Sequence, residues 1–241
     1  YKVTGTLANG TVAEGEVIPL SEYKTTYAPV GEANLKKWRK QTTAEAISSK
    51  GYGQAVNDTN DKMLKDIQKG IRKDFAAFLA TGSGKATGVG LQAALAQVWG
   101  QLQVIWEDTS VEAVYLMNPL DVADYLGGAQ IVTQTAFGMS YIENFLGIGT
   151  VILASDVPKG KIYATASENI VLYFVNVTGS DLAQAFNLTS DTTGLIGIHT
   201  GPVYENLTSE TVAASGVGLF AENLGGVVIG TITAAEASGT K

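Results

Sequence analysis

The sequence predicts an α+β fold in which helices and strands are segregated, rather than a regular alternation of strand, helix and strand. Three observations favour this class. They are a long amphipathic helix over 58–80, a polar N-terminal stretch with few apolar residues, and short strands separated by glycine turns after residue 131. With 241 residues, the chain is long enough to bury a sizeable core.

The N-terminal residues 1–49 predict a two-stranded ribbon. Residues 1–8 alternate as a strand does, and Asn9-Gly10 is a turn signal. A polar run then leads to a second extended arm over 33–43. A two-stranded ribbon with so little apolar content is not stable alone in water. We therefore expect this ribbon to lie on another surface.

Residues 58–80 form the clearest predicted helix. Asn57 or Asp58 can cap its start, and it ends near Thr81-Gly82. At 1.5 Å per residue, such a helix is about 33 Å long. Its apolar residues recur at three- and four-residue spacing, and basic residues line the other sides. The apolar stripe comprises Met63, Ile67, Ile71, Phe75 and Phe78.

The elements after this helix are predicted from glycines, apolar runs and caps. We expect a glycine-rich loop over 80–90, a helix over 91–104 and a strand over 111–117. Asn118-Pro119 predicts the start of a short helix that ends at Gly127-Gly128. Later strands are predicted over 147–154, 161–164, 203–214, 216–221 and 227–232, with a short helix over 181–186 and either a helix or a strand over 168–177.

Charge is scarce and unevenly distributed. Charged residues make up 16% of the chain, against about 25% in typical soluble domains. We interpret this shortage as surface that faces other protein, although a β-rich secreted domain fits the composition too. Residues 1–85 carry 13 basic and 9 acidic residues, whereas residues 86–241 carry 3 and 14. This asymmetry suits head-to-tail contact between copies, and it is equally compatible with chance.

Several classes of chemistry are excluded or disfavoured. With no cysteine, the chain has no disulfides, thiolate metal sites or cysteine nucleophiles. Its single histidine, His199, rules out two-histidine metal sites. No apolar run is long enough for a membrane helix, and no signal segment opens the chain. Since Tyr1 begins in what reads as mid-strand, we expect that an N-terminal piece is missing.

Two motifs that could carry chemistry have simpler explanations. Gly82-Ser83-Gly84-Lys85 resembles a phosphate-binding loop, but Leu79 replaces its first glycine and Ala86 replaces its magnesium-binding hydroxyl. Asp121 and Asp124 could act as paired carboxylates, yet negative charge near a helix N-terminus is favoured for stability alone. We therefore expect no catalytic residues, no metal site and no cofactor, and we expect that the protein is not an enzyme.

The order of these parts resembles the major capsid proteins of tailed bacteriophages, which have the Hong Kong 97-like fold. The acidic stretch before a polar run and a Lys- and Trp-bearing arm is similar to the extended loop of that family, and the helix over 58–80 is similar to its spine helix. Further likenesses lie in Val12-Ala13-Glu14-Gly15-Glu16, Val114–Asp121, Leu146–Val151, Val157-Pro158-Lys159-Gly160 and Val203–Ile232.

The resemblance implies a domain organisation. It predicts an extended β-ribbon loop over 1–49 that lies over a neighbouring subunit. A peripheral domain would contain 50–111 and 196–224, including the spine helix. An axial domain would contain 112–195 and 225–233, followed by a C-terminal tail over 234–241.

The resemblance also implies a function. We expect a structural protein that assembles into pentamers and hexamers of an icosahedral phage head around double-stranded DNA. Its partners would be other copies of itself, with scaffold, portal and decoration proteins and non-specifically contacted DNA, and no membrane. It would be a virion component that is assembled in the cytoplasm of the host bacterium.

We expect the ribbon to carry the subunit contacts, through charges that pair with opposite charges on an adjacent copy. The predicted interface residues are Glu14, Glu16, Glu22, Lys24, Lys36, Lys37, Trp38 and Arg39. Two alternatives stay open. An encapsulin-like shell protein of a bacterial nanocompartment would share the architecture and enclose enzymes, and a secreted β-rich binding module would be a monomer.

Overall fold

A computed structural model describes residues 2–8, 11, 19–26, 34–107, 112–128, 133–136 and 139–234. The chain divides into two compact units, Tyr1–Glu32 and Ala33–Lys241. The helices are α1 (Ala44–Tyr52), α2 (Asp58–Leu79), α3 (Gly90–Ile105), α4 (Pro119–Gly128) and α5 (Asp181–Ala185). The strands are β1 (Lys2–Thr6), β2 (Glu22–Thr26), β3 (Lys36–Thr43), β4 (Gly84–Val89), β5 (Ala113–Met117), β6 (Gln134–Ala136), β7 (Met139–Ile142), β8 (Thr150–Leu153), β9 (Lys161–Ala166), β10 (Ile170–Phe174), β11 (Thr189–Ser190), β12 (Gly197–Val203), β13 (Thr208–Ser215), β14 (Val217–Ala221) and β15 (Val228–Thr233).

The first unit contains an antiparallel ribbon, but its second strand is not the predicted one. β1 pairs with β2, with Thr6 opposite Glu22. The predicted second arm over 33–43 is wrong, because residues 36–43 form β3 in the second unit. Trp38, Lys40 and Thr42 alternate with exposed neighbours along β3, which is the pattern of a half-buried strand in a sheet.

The second unit contains a four-stranded antiparallel sheet in the order β11-β12-β13-β3. α2 packs across one face of this sheet, as its apolar stripe predicts. Ile67 on the helix is buried against Ile196 and Ala213, and the partly buried Trp38 and Met63 surround this small core. The 22 residues of α2 confirm the predicted long helix over 58–80.

Hydrogen bonds between side chains orient α2 on the sheet. The amide of Asn60 donates to the Thr200 hydroxyl over 3.2 Å and accepts from the Thr211 hydroxyl over 3.0 Å. The two hydroxyl groups lie 3.0 Å apart, so the three side chains form a closed network. Further along the helix, Gln68 donates to the Asp191 carboxylate over 3.2 Å. Because the apolar core here is small, these polar contacts specify how the helix is seated.

A seven-stranded mixed sheet, in the order β4-β15-β9-β5-β8-β7-β6, forms the larger part of the second unit. The β4–β15 and β5–β8 pairs are parallel, and the other neighbours are antiparallel. α3 lies against the sheet and buries Leu95, Val98 and Leu102 completely. Tyr115 and Phe145 complete the apolar core on this side, so burial of apolar surface is the main stabilising term here.

The predicted glycine-rich loop over 80–90 is wrong for its greater part, because residues 84–89 form the edge strand β4. The glycines allow close packing instead. A Cβ atom on Gly88 would lie 2.3 Å from the Ala94 amide nitrogen, and one on Gly82 would lie 2.6 Å from Val227 Cγ1. Since glycine usually weakens a strand, a glycine-rich segment favours a loop when the sequence alone is considered.

Several other predictions can be compared with the structure. The helix at Asn118-Pro119 is confirmed, and the Asn118 Oδ1 atom accepts from the Leu120 amide over 3.0 Å. The short helix over 181–186 is confirmed as α5. The ambiguous segment 168–177 contains the strand β10, which pairs with β14. The single strand predicted over 203–214 is wrong, because the turn 204–207 separates β12 from β13. α1 was not anticipated at all.

The predicted peripheral and axial domains stay predictions, but the sheets show which segments lie together. β3 belongs with the four-stranded sheet, although it was assigned to the extended loop. β4 and α3 lie with the seven-stranded sheet, although they were placed in the peripheral interval. A third apolar cluster connects the end of α2 to the seven-stranded sheet, through Leu79, Tyr163 and Val227.

Candidate assembly surfaces

The predicted interface residues do not lie together on one ribbon. Glu22 and Lys24 lie on β2, where Lys24 Nζ is 2.7 Å from Glu22 Oε1 and both side chains are 72% exposed. Glu14 and Glu16 lie outside the described residues. The ribbon therefore presents one exposed ion pair among the residues that the structure describes, and its predicted role in subunit contacts stays a prediction.

The other four predicted residues lie on β3 and make contacts within the chain. Lys36 forms an ion pair with Asp74 of α2, and Arg39 Nε lies 2.8 Å from Glu210 Oε1 on β13. Trp38 packs against the core beneath α2, and Lys37 is exposed. Their placement on a ribbon arm is thus corrected. Trp38 in particular has a structural role that the basic residues around it obscured.

β3 is the edge of its sheet, and a groove of about 440 Å³ runs between it and α2. Trp38, Met63 and Ile71 contribute apolar surface to this groove, and Lys36 and Lys62 lie at its side. Among the described residues, no strand pairs with the outer edge of β3. Lysines on an exposed edge strand discourage uncontrolled pairing, so the run of basic residues protects this edge as well.

Lys40 is the most enclosed cation beside this groove. Its ammonium group donates to the Val56 carbonyl over 3.3 Å and to the Thr59 hydroxyl. Burial lowers the pKa of Lys40, because a partly desolvated ammonium is less stable when charged. These contacts connect β3 to the turn before α2, which is a structural role.

The solvent-facing side of α2 carries both aspartates and lysines, and three of the lysines form a row. Lys65, Lys69 and Lys73 are exposed at four-residue spacing, so they lie above one another on one side of the helix. Within the described residues these three lysines form no ion pair. Lys62 pairs with Asp66 one turn away. We refer to Lys65, Lys69 and Lys73 as the cationic face of α2.

Three exposed carboxylates lie at one end of the seven-stranded sheet, where α3 ends, β5 begins and β9 ends. Glu112 directly precedes β5, and its carbonyl accepts from the Ser167 amide over 2.9 Å, which places it beside Glu168. Glu107 follows Trp106, whose indole N–H donates to the Gly226 carbonyl over 3.4 Å at the same end. We refer to Glu107, Glu112 and Glu168 as the acidic end.

Apolar side chains are exposed on the two-stranded β10–β14 sheet. Leu172, Tyr173 and Phe174 are consecutive on β10, and each is more than 40% exposed. Tyr173 stacks on Phe220 of β14, with ring centroids 4.8 Å apart. Because successive side chains of a strand point to opposite faces, Leu172 and Phe174 lie on one face of this sheet, and Tyr173 lies with Phe220 on the other. Exposed apolar side chains of this kind are typical of an interaction surface. The sequence did not reveal their exposure, because three consecutive apolar residues on a strand normally indicate burial.

The motifs that resembled reactive sites have structural roles. Gly84 and Lys85 lie in β4, so Gly82–Lys85 does not form a phosphate-binding loop. The Asp121 carboxylate accepts from the Gly160 amide over 2.8 Å and so connects α4 to the β8–β9 turn. Nothing is described of the Asp124 side chain, and His199 lies in β12. In the described part of the chain, no group of three or more His, Asp or Glu side chains could hold a metal ion.

No described helix combines the length and the apolar character that a membrane crossing needs.

Comparisons with known proteins identify the fold. Neither models of known protein families nor curated protein sequences match this sequence. Solved structures, in contrast, do match this chain. The capsid of the cyanophage P-SCSP1u matches with a TM-score of 0.61 and 8% identity, covering 97% of this chain and 83% of that chain.

Two further structures show the breadth of this similarity. The SrpI encapsulin from Synechococcus elongatus matches with a TM-score of 0.58 and 12% identity, covering 87% of this chain and 76% of the other. A chain from Mycobacterium phage Che8 matches with a TM-score of 0.57 and 10% identity, covering 94% and 82%. The chain therefore has the Hong Kong 97-like fold, and the resemblance to phage capsid proteins is confirmed at the level of the fold.

Proposed function

We propose that this chain is a shell-forming major capsid protein of a tailed bacteriophage. Its copies would form the pentamers and hexamers of an icosahedral head around double-stranded DNA. The observation that carries this proposal is the extent of the structural match, since 97% of the chain aligns with a phage capsid structure. The proposed role is structural, without a catalytic step.

The exposed surfaces support assembly as the mechanism. The exposed apolar residues of β10 are features that a lone soluble domain usually covers. The chain is also poor in charge, at 16%. Contacts between copies would bury these surfaces, and a shell needs heterologous contacts that close into rings.

A second candidate function is the shell of a bacterial nanocompartment. The similarity to the SrpI encapsulin favours it, because its TM-score of 0.58 is close to the value for the cyanophage capsid. The two candidates share the assembly and differ in the contents of the shell. Partners such as scaffold, portal and decoration proteins, and a virion location, belong to the first candidate alone.

Electron microscopy and light scattering of the expressed chain test the assembly. We expect closed shells, or rings with five- and six-fold symmetry. A chain that stays a monomer at high concentration, both as this sequence and when expressed from its full-length gene, would overturn the shell proposal.

The contents of native particles separate the two candidates. Nuclease-treated particles from the natural source should release double-stranded DNA if the chain is a phage capsid protein. Particles that contain a defined enzyme and no protected DNA would overturn the phage assignment and support the nanocompartment.

A further inference from the structure

The cationic face of α2 places three like charges in a row, although Asp61 and Asp66 are exposed on the same helix. Like charges four residues apart on a helix repel each other and so destabilise the helix slightly. Lys65, Lys69 and Lys73 form two such pairs and have no ion-pair partner within the described residues. At 1.5 Å per residue, the three charges span about 12 Å. They therefore form a line of positive charge that an external acidic surface can satisfy.

The acidic end has the matching character. Glu107, Glu112 and Glu168 are exposed, and none of them forms an ion pair among the described residues. Two hydrogen bonds connect their neighbourhood, from the Ser167 amide to the Glu112 carbonyl and from the Trp106 indole N–H to the Gly226 carbonyl. The acidic end thus presents three exposed carboxylates, against three exposed ammonium groups on α2.

We propose that the cationic face of α2 in one copy docks on the acidic end of the next copy. This inference rests on the proposed shell function and assigns one of its subunit contacts. The two surfaces lie on different elements, so the contact is heterologous, the type that generates rings. Opposite charges at such a contact fix its register and suppress wrong pairings.

We assign a second copy of the chain, rather than nucleic acid, to the cationic face. Residues 86–241 alone carry 14 acidic and 3 basic residues, so any second copy of the chain offers negative charge that complements the cationic face. Binding of DNA to this face is then the competing outcome, and the experiment below distinguishes it.

Charge reversal with compensation tests the contact in the full chain. The first variant carries Lys65→Glu, Lys69→Glu and Lys73→Glu, and the second carries Glu107→Lys, Glu112→Lys and Glu168→Lys. A third variant combines all six changes and so returns the net charge to −7. A matched control reverses the exposed Lys50, Lys85 and Lys159, which lie outside the cationic face and form no described ion pair.

In electron microscopy, we expect each triple variant to form no rings or shells. The variant with all six substitutions should form them again, and the control should form them as the unmodified chain does. A 1:1 mixture of the two triple variants should form six-membered rings but no closed shells. Alternating copies satisfy every contact in a ring of six, whereas a ring of five leaves one like-charged contact.

The contact would be overturned if the triple variants assembled as the unmodified chain does. It would also be overturned if the variant with all six substitutions did not assemble although circular dichroism showed it folded. A third contrary outcome is that the variant with Lys65→Glu, Lys69→Glu and Lys73→Glu assembles normally but loses bound DNA. If a reversed chain does not fold, Lys65→Ala, Lys69→Ala and Lys73→Ala replace it and should raise the concentration needed for assembly. An unchanged concentration would also overturn the contact. An unmodified chain that never assembles contradicts the shell function instead.

Discussion

The two sheets of the second unit are stabilised in different ways. The seven-stranded sheet and α3 enclose a large apolar core in which Leu95, Val98, Leu102 and Tyr115 are completely buried. The core between α2 and the four-stranded sheet contains three buried residues, Ile67, Ile196 and Ala213. Around this smaller core, hydrogen bonds and ion pairs help to position α2 on the four-stranded sheet.

This difference shows how one chain can combine a large apolar core with a region whose surface carries charged side chains. Burial of apolar area is strong but does not depend on direction, so it stabilises the large region without specifying partners. Polar contacts are directional and individually weak, and they leave charged side chains at the surface of the small region. The small region is accordingly where the groove beside β3 and the cationic face of α2 are found.

Truncation in the large core should have the largest effect on stability. We expect Leu102→Ala to lower the free energy of unfolding by about 2–5 kcal/mol, because it leaves a cavity in a fully enclosed site. Denaturant unfolding followed by circular dichroism measures this loss. Val104→Ala is the matched control on the same helix, since Val104 is 70% exposed and should change little.

The same type of truncation at Ile67 sharpens the comparison. Ile67→Ala should cost less than Leu102→Ala, because the partly buried Met63 and Leu64 beside it can close the gap. Equal losses at the two positions would contradict the view that the smaller core contributes less.

Removal of the Asn60 side chain, which connects α2 to the four-stranded sheet, should have an intermediate effect on stability. Asn60→Ala deletes both side-chain hydrogen bonds and leaves the Thr200 and Thr211 hydroxyls with only each other. We expect a loss of about 1–3 kcal/mol. Hydrogen exchange should show it as faster exchange in β12 and β13 than in β9. Asn57→Ala, at an exposed position just before α2, is the control. If the amides of β12 and β13 kept the same protection from exchange, the Asn60, Thr200 and Thr211 hydrogen bonds would not position the helix.

Loss of an exposed ion pair should have the smallest effect. Asp74→Asn removes the partner of Lys36, and both side chains are more than half exposed. We expect a change below about 1 kcal/mol that shrinks further at high salt, because solvent screens such pairs. Thermal unfolding at low and high ionic strength measures it. A loss as large as that of Asn60→Ala would show that this pair is more important than its exposure indicates.

Much of the fold was predictable where local signals and final environment agree. The apolar stripe of α2 faces the sheet as its periodicity predicts, and Asn118 caps α4 as an asparagine before a proline should. Where they disagree, the prediction was wrong. Gly88 lies inside a strand because its segment pairs with β15, and position 88 needs a glycine because Ala94 leaves no room for a Cβ atom.

The candidate surfaces were less predictable than the fold. Lys36 and Arg39 were anticipated as contacts between copies, but the structure gives them partners on α2 and β13, more than thirty residues away along the chain. The exposed apolar residues of β10 were not anticipated, because exposure depends on what covers a strand. The lysines of the cationic face of α2 were visible in the sequence, but the sequence did not indicate that the glutamates of the acidic end lie at one end of a sheet.

The sequence by itself determined the α+β class, the long amphipathic helix and the absence of cysteine chemistry. These follow from periodicity and composition, which act over a few turns of the chain or need no structure at all. Only the tertiary structure decided that β3 joins the sheet under α2, that the glycines near Lys85 form a strand, and that Glu112 and Glu168 lie at the same end of the seven-stranded sheet. Each of those depends on which segments pair across more than fifty residues, and pairing is a property of the whole packed chain.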